Sequence, residues 1–201
     1  MAKMDESDER SLQPGDALLI VDVQRDFLPG GALAVPDGDR VVPVLNRYIE
    51  RFRARDLPVI ATRDWHPPDH CSFTDQGGPW PVHCVAGSPG AAFADELALA
   101  PEDRIVSKAT ACDRDAYSGF QDTGLAETLR AAGIRRLFVG GLATDYCVLN
   151  TVLDACREGF AVRLLEDAVR AVDLRPGDGA RALERMVAAC ARPLRLEDLA
   201  P

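Results

Sequence analysis

Short apolar runs alternate along the chain with longer stretches whose apolar residues fall three and four apart, and this alternation limits the possible folds more than any other feature. Ala17 to Val23 reads ALLIVDV, nearly all apolar, the pattern of a strand buried on both faces of a parallel sheet. From Arg40 to Arg55 the apolar positions are Val41, Val44, Leu45, Tyr48, Ile49 and Phe52, one face of an amphipathic helix. The same alternation predicts strands at 57–62, 104–107, 137–140, 161–165 and 194–196, and helices at 125–132, 145–158 and 179–190. Parallel strands need crossovers, which are nearly always right-handed, so the expected architecture is a three-layer α/β/α domain around a central, mostly parallel sheet. In such sheets functional groups collect beyond the carboxyl ends of the strands.

The 201 residues, 47% of them apolar, suffice for one domain with a substantial core, and no repeat or linker divides them. We expect a single domain over 1–201, with 1–13 (MAKMDESDERSLQ) a flexible tail. A net charge of −9 opposes nucleic-acid binding and anionic membranes. No apolar run approaches the ~18 residues of a spanning helix, and no targeting segment is visible. Six cysteines, at 71, 84, 112, 147, 156 and 190, show no paired spacing, so reduced thiols in a cytoplasm are expected, with Cys156 and Cys190 packed as small hydrophobes on helix faces. A small-molecule partner is expected, and self-association is left open.

Residues 63–101 exceed the usual connection of about 4–6 residues several-fold and are rich in Pro, Gly and aromatics. All three histidines, His66, His70 and His83, lie there with Asp64, Cys71 and Cys84. An extended backbone after the second strand points Asp64 and His66 to one side, and two imidazoles with a carboxylate suit zinc, iron or manganese with positions open. A closed zinc site using Cys71 and Cys84 is an alternative, as are histidines that only hydrogen-bond locally.

Three strand ends carry other reactive groups: Asp22 in LLIVDV, Lys108 in IVSKAT and Cys147 in GGLATDYCV. A helix N-terminus and a nearby Lys108 would favour the Cys147 thiolate, and a carboxylate beside them can move the thiol proton. Gly140-Gly141 allows a sharp turn that presents backbone N–H groups beside the thiol, as an oxyanion hole requires.

Five blocks, LLIVDVQRDFLPGGALAV (18–35), ATRDWHPPDHCSF (61–73), GGPWPVHCVAGSPGAAF (77–93), SKATACDRDAYSGF (107–120) and GGLATDYCV (140–148), resemble the nicotinamidases (pyrazinamidases) of the isochorismatase-like cysteine hydrolases. The resemblance implies Asp22, Lys108 and Cys147 as catalytic triad, and Asp64, His66 and His83 as ligands of one divalent metal, zinc foremost, with His70 an optional fourth. It further implies that Phe27 and Trp80 flank a pyridine ring, that Tyr117 and Leu142 border the pocket, and that a cis Leu142–Ala143 peptide aims the N–H groups of Ala143 and Cys147 at an oxyanion. The implied reaction converts nicotinamide, or pyrazinamide, to the acid and ammonia. Another amidase or isochorismatase-like hydrolase of the same fold is the alternative.

Overall fold

The computed structural model describes residues 10–200. Six strands form one sheet, all in parallel: β1 (Asp16–Val21), β2 (Val59–Asp64), β3 (Arg104–Lys108), β4 (Arg136–Leu142), β5 (Ala161–Arg170) and β6 (Arg192–Leu194), in the order β3-β2-β1-β4-β5-β6. The sequence order reverses between β1 and β4, which pair from Asp16 opposite Arg136 to Val21 opposite Gly141. The crevice at that reversal is where open α/β sheets bind ligands.

Strand β1 shows why the sheet needs helices on both sides. Leu18 and Ile20 face one core with Tyr48, Ile49 and Phe52 of helix α1 (Val41–Arg53), whereas Ala17, Leu19 and Val21 face a second. That second core is closed by α2 (Leu125–Ala131), α3 (Leu149–Arg157) and α4 (Asp178–Ala189) through Leu125, Leu129, Val152 and Met186. Three layers result, as the alternation predicts. Among the described residues no helix is long and apolar enough to cross a membrane.

Four expectations are corrected. Of the tail expected over 1–13, residues 1–9 lie outside the described residues, but Leu12 is buried and the Arg10 carbonyl accepts the Ala200 N–H at 2.7 Å. Strand β2 begins and ends two residues later than expected, which places Asp64 on the strand itself. The helix expected from Asp145 opens with a single π turn, Thr144–Val148, before α3. Cys156 and Cys190 are not independent thiols: they form a disulfide joining the last turn of α3 to the residue after α4. Helical periodicity correctly turns Cys156 inward but says nothing about which helix it meets.

The disulfide closes a loop with a sequence separation of 34, for which chain-entropy reasoning gives about 3–4 kcal/mol. Cys156→Ser is therefore expected to lower the unfolding free energy by that amount, read as a lower urea midpoint with an m value no smaller than that of wild type. Dithiothreitol should shift wild type equally, and a midpoint insensitive to both would show that the bridge adds nothing.

Candidate active site

Asp22 is the first residue past β1 and leaves the strand with φ of +50°, a conformation that aspartate tolerates better than most side chains. Its N–H bonds the Thr62 carbonyl at 3.2 Å, and the Thr62 hydroxyl donates to Oδ1 at 2.7 Å. Lys108 closes β3, its Nζ buried 2.9 Å from Asp22 Oδ2 and 2.5 Å from Asp64 Oδ1. The same ammonium donates to the Ala116 carbonyl at 3.1 Å and to Cys147 Sγ at 3.4 Å. Three separate strand ends thus bring Asp22, Lys108 and Cys147 together, and Lys108 also reaches Asp64.

Burial sets the protonation states. Desolvation pushes the Asp22 carboxyl up, Lys108 pulls it back, and Asp64 raises it further. For Lys108, burial disfavours the charge, but Asp22, Asp64 and Cys147 hold the ammonium well above the usual lysine range. Burial likewise drives the Cys147 thiol well above its ordinary value; Lys108 opposes this, while the two carboxylates add to it. Lys108 does favour the thiolate, as expected, but burial and the two carboxylates outweigh it. Two carboxylates beside one ammonium hold the thiol toward its protonated form.

Asp64, His66 and His83 are all buried, and their ligand atoms lie within 4.8 Å of one another. His66 Nδ1 donates to the Ala109 carbonyl at 3.2 Å and His83 Nδ1 to the Pro81 carbonyl at 2.7 Å. Fixing the proton on Nδ1 presents the Nε2 lone pairs, which is how outer partners orient metal-binding imidazoles. His66 Nε2 is buried without a hydrogen-bond partner, and burial lowers that imidazole to about 3, so it is neutral and available to a cation. These donors fit a divalent metal. His70 stacks on His66 with ring centroids 4.2 Å apart. Its Nε2 donates to the Arg114 carbonyl at 3.0 Å, and its Nδ1 faces the Ser72 hydroxyl at 2.7 Å. Both nitrogens are engaged, so the optional fourth ligand stays outside this group. Neither Cys71 nor Cys84 joins it either, and Cys84 packs into the core instead.

Profile comparison matches residues 16–198 to the Isochorismatase domain family. The chain belongs to that family. It is 42% identical to the nicotinamidase of Escherichia coli (strain K12) over 92% of this chain and 97% of that protein. Among solved structures it is similar to the pyrazinamidase of Pyrococcus horikoshii in complex with zinc (49% identity, TM-score 0.87, covering 91% of this chain and 100% of the other). PnC1 from L. infantum in complex with nicotinate is also similar (38% identity, TM-score 0.86, 93% and 96% covered).

In this isochorismatase-family chain a cavity lies over Cys147 and Asp64, walled by Phe27, Trp80, Tyr117, Leu142 and Tyr146 among others. Trp80 Nε1 donates to the Tyr117 hydroxyl at 3.0 Å, and Phe27 packs on His83 at 5.7 Å between centroids. Ala143 also lines the cavity; the Leu142–Ala143 peptide is cis, and the Ala143 carbonyl accepts the N–H groups of Tyr146 and Val148 at 3.1 Å each. Gly141 does more than turn: at φ of +123° a Cβ there would stand 2.1 Å from the Val21 carbonyl oxygen.

Sequence reasoning missed the supports. Buried Gln24 clamps the Asp64 peptide, accepting its N–H and donating to its carbonyl, both at 2.8 Å, with a further bond to the Ala91 carbonyl at 3.0 Å. The Asp26 carboxylate accepts the Cys84 N–H at 2.7 Å, beside His83. A glutamine and a second aspartate in DVQRDF, directly after a buried strand, were the available signal. Thr62 and Tyr146 carried none, since each fits its element without a function.

Proposed function

We propose that the chain is a metal-containing amidohydrolase, converting nicotinamide, and pyrazinamide by the same route, to the carboxylic acid and ammonia. The observation carrying this reading is the junction at Lys108, which joins a buried thiol and carboxylate to the Asp64, His66 and His83 group at the floor of an aromatic-walled cavity. Relatives named for the same activity support it.

Asp22 takes the Cys147 proton, and Sγ attacks the carboxamide carbon while the N–H groups of Ala143 and Cys147 receive the oxyanion. The C–N bond then breaks, Asp22 returns the proton to the departing nitrogen, and ammonia leaves an acyl thioester. Water adds to that carbonyl as Asp22 accepts its proton. The C–S bond breaks, the thiol is restored and nicotinic acid departs, available for NAD salvage. Lys108 stays protonated, neutralising Asp22 and Asp64 and holding the former within reach of the thiol. Phe27, Trp80 and Tyr117 clasp the flat ring, and Leu142 closes the floor. Asp64, His66 and His83 would hold the ion, zinc being the best match to one carboxylate and two imidazoles; when bound it supplies a Lewis-acidic position for the ring nitrogen and water. The chain works as one domain, and a cytoplasmic setting requires the Cys156–Cys190 bridge to persist against reduction there.

Ammonia release from a panel of amides, run with metal analysis, tests the reading. Nicotinamide or pyrazinamide should rank first, and preference for an aliphatic or ureido amide would replace it with another amidase of this fold. His83→Ala should lower metal stoichiometry and raise KM for nicotinamide; undiminished metal content would contradict the ligand assignment.

A further inference from the structure

The mechanism leaves one conspicuous carboxylate without a role. Asp145 lies two residues before Cys147 in the π turn, yet its side chain is turned to another segment. Oδ1 accepts the Val172 N–H and Oδ2 the Asp173 N–H, each at 2.9 Å. One carboxylate holding two successive amides is a charge-assisted clamp, stronger and more directional than a neutral contact.

The clamped segment, residues 171–177, connects β5 to α4 and supplies Val172 to the cavity wall. Asp173, at φ of +53°, continues the linkage, its Oδ1 accepting the Gly179 N–H at 2.8 Å in the first turn of α4. Gly179 lies against the same segment so closely that a Cβ there would be 2.6 Å from the Ala171 Cβ. Residues 171–173 are therefore pinned between the nucleophile's turn and α4. The next residue, Leu174, is left 64% exposed. Past it, the segment is tied separately to α4, the Arg175 N–H donating to Asp178 Oδ2 at 2.9 Å.

We propose that Asp145 is a positioning residue that fixes Val172 as a wall of the substrate cavity, making residues 171–173 determinants of which ring substituents are admitted. This rests on the amidase reading above and goes beyond it. Asp145 reaches the substrate only through the Val172 backbone, so its loss should act on binding and selectivity rather than on bond breaking.

The test is a double-mutant cycle of Asp145→Asn and Val172→Ala, measured with an unsubstituted amide and its ring-methylated derivatives. The unsubstituted amide is whichever the panel ranks first. A wild type inactive on nicotinamide would thus overturn the parent reading before any variant is compared. Val172→Ala should shift the kcat/KM ratio toward a methylated ring by about tenfold, the lower end of what one methyl-sized space is worth. Asp145→Asn should raise KM for the unsubstituted amide by about tenfold with kcat nearly unchanged, since a neutral amide cannot accept both N–H groups. It should move selectivity the same way, and the double variant should go no further than Val172→Ala alone. Additive effects, or a fall in kcat at constant KM and constant selectivity, would show that Asp145 supports the nucleophile's turn instead and would overturn the proposal. Should Asp145→Asn not fold, Val172→Ala still decides: unchanged selectivity removes Val172 as a determinant, and the proposal with it.

Discussion

Cys147→Ala is expected to reduce kcat by at least about 10³-fold, because no other group can form the acyl bond and the remaining donors contribute only binding. Cys147 is 6% exposed, and loss of its sulfur leaves a small void beside Lys108, whose pairs with Asp22 and Asp64 do not involve sulfur. Thermal midpoint and metal content should therefore match wild type, which separates loss of the nucleophile from loss of structure. Acid-quenched wild type should carry the acyl mass on the peptide containing Cys147, and the variant should carry none. Residual turnover above a few per cent would assign the attack to water.

Asp22→Asn should rank next, with a fall in kcat of about 10²–10⁴-fold, the range for removing a general acid–base group. Its pH dependence is the sharper readout. Burial, the first influence on this carboxyl, raises its pKa above the ordinary aspartate value, and a carboxylate works as a base only above its own pKa. Wild-type activity should thus fall as pH drops through that raised value, whereas the asparagine variant should be flat over the same window. An acid limb surviving in the variant would place the base elsewhere. Lys108 retains Asp64 at 2.5 Å, so the variant keeps a paired ammonium and should fold.

How much of this could be read before the coordinates depends on the range of the interactions. Strands and helices are periodic over a few residues, and the three layers follow from ALLIVDV and the apolar stripe at 41–52 without any long-range knowledge. Asp22 and Lys108 stand out because each is a reactive group at a strand end, and Cys147 because it opens the helical segment after one. Asp64 and His66 stood out because two-residue spacing on an extended chain puts both on one side. The connection of Lys108 to Asp64 was not legible, since it depends on β2 and β3 being neighbours in register, Asp64 opposite Lys108. Nor was the upward push on the Cys147 thiol, which follows from burial and from two carboxylates rather than one. The bond between Cys156 and Cys190 needed the meeting of two helices, which no local pattern records.

The reversal of strand order between β1 and β4 has a consequence for how activity arises as the chain is made. Asp22 follows β1 and Cys147 follows β4, and their strands join only by pairing residues as distant as Asp16 and Arg136. Contacts of such separation form slowly, after local structure is in place. An emerging chain can complete β1, α1 and β2 before β4 brings Cys147 beside Asp22. On the proposed mechanism, a polypeptide interrupted before β4 pairs with β1 cannot bring Cys147 to Asp22 and is expected to be silent rather than weakly active.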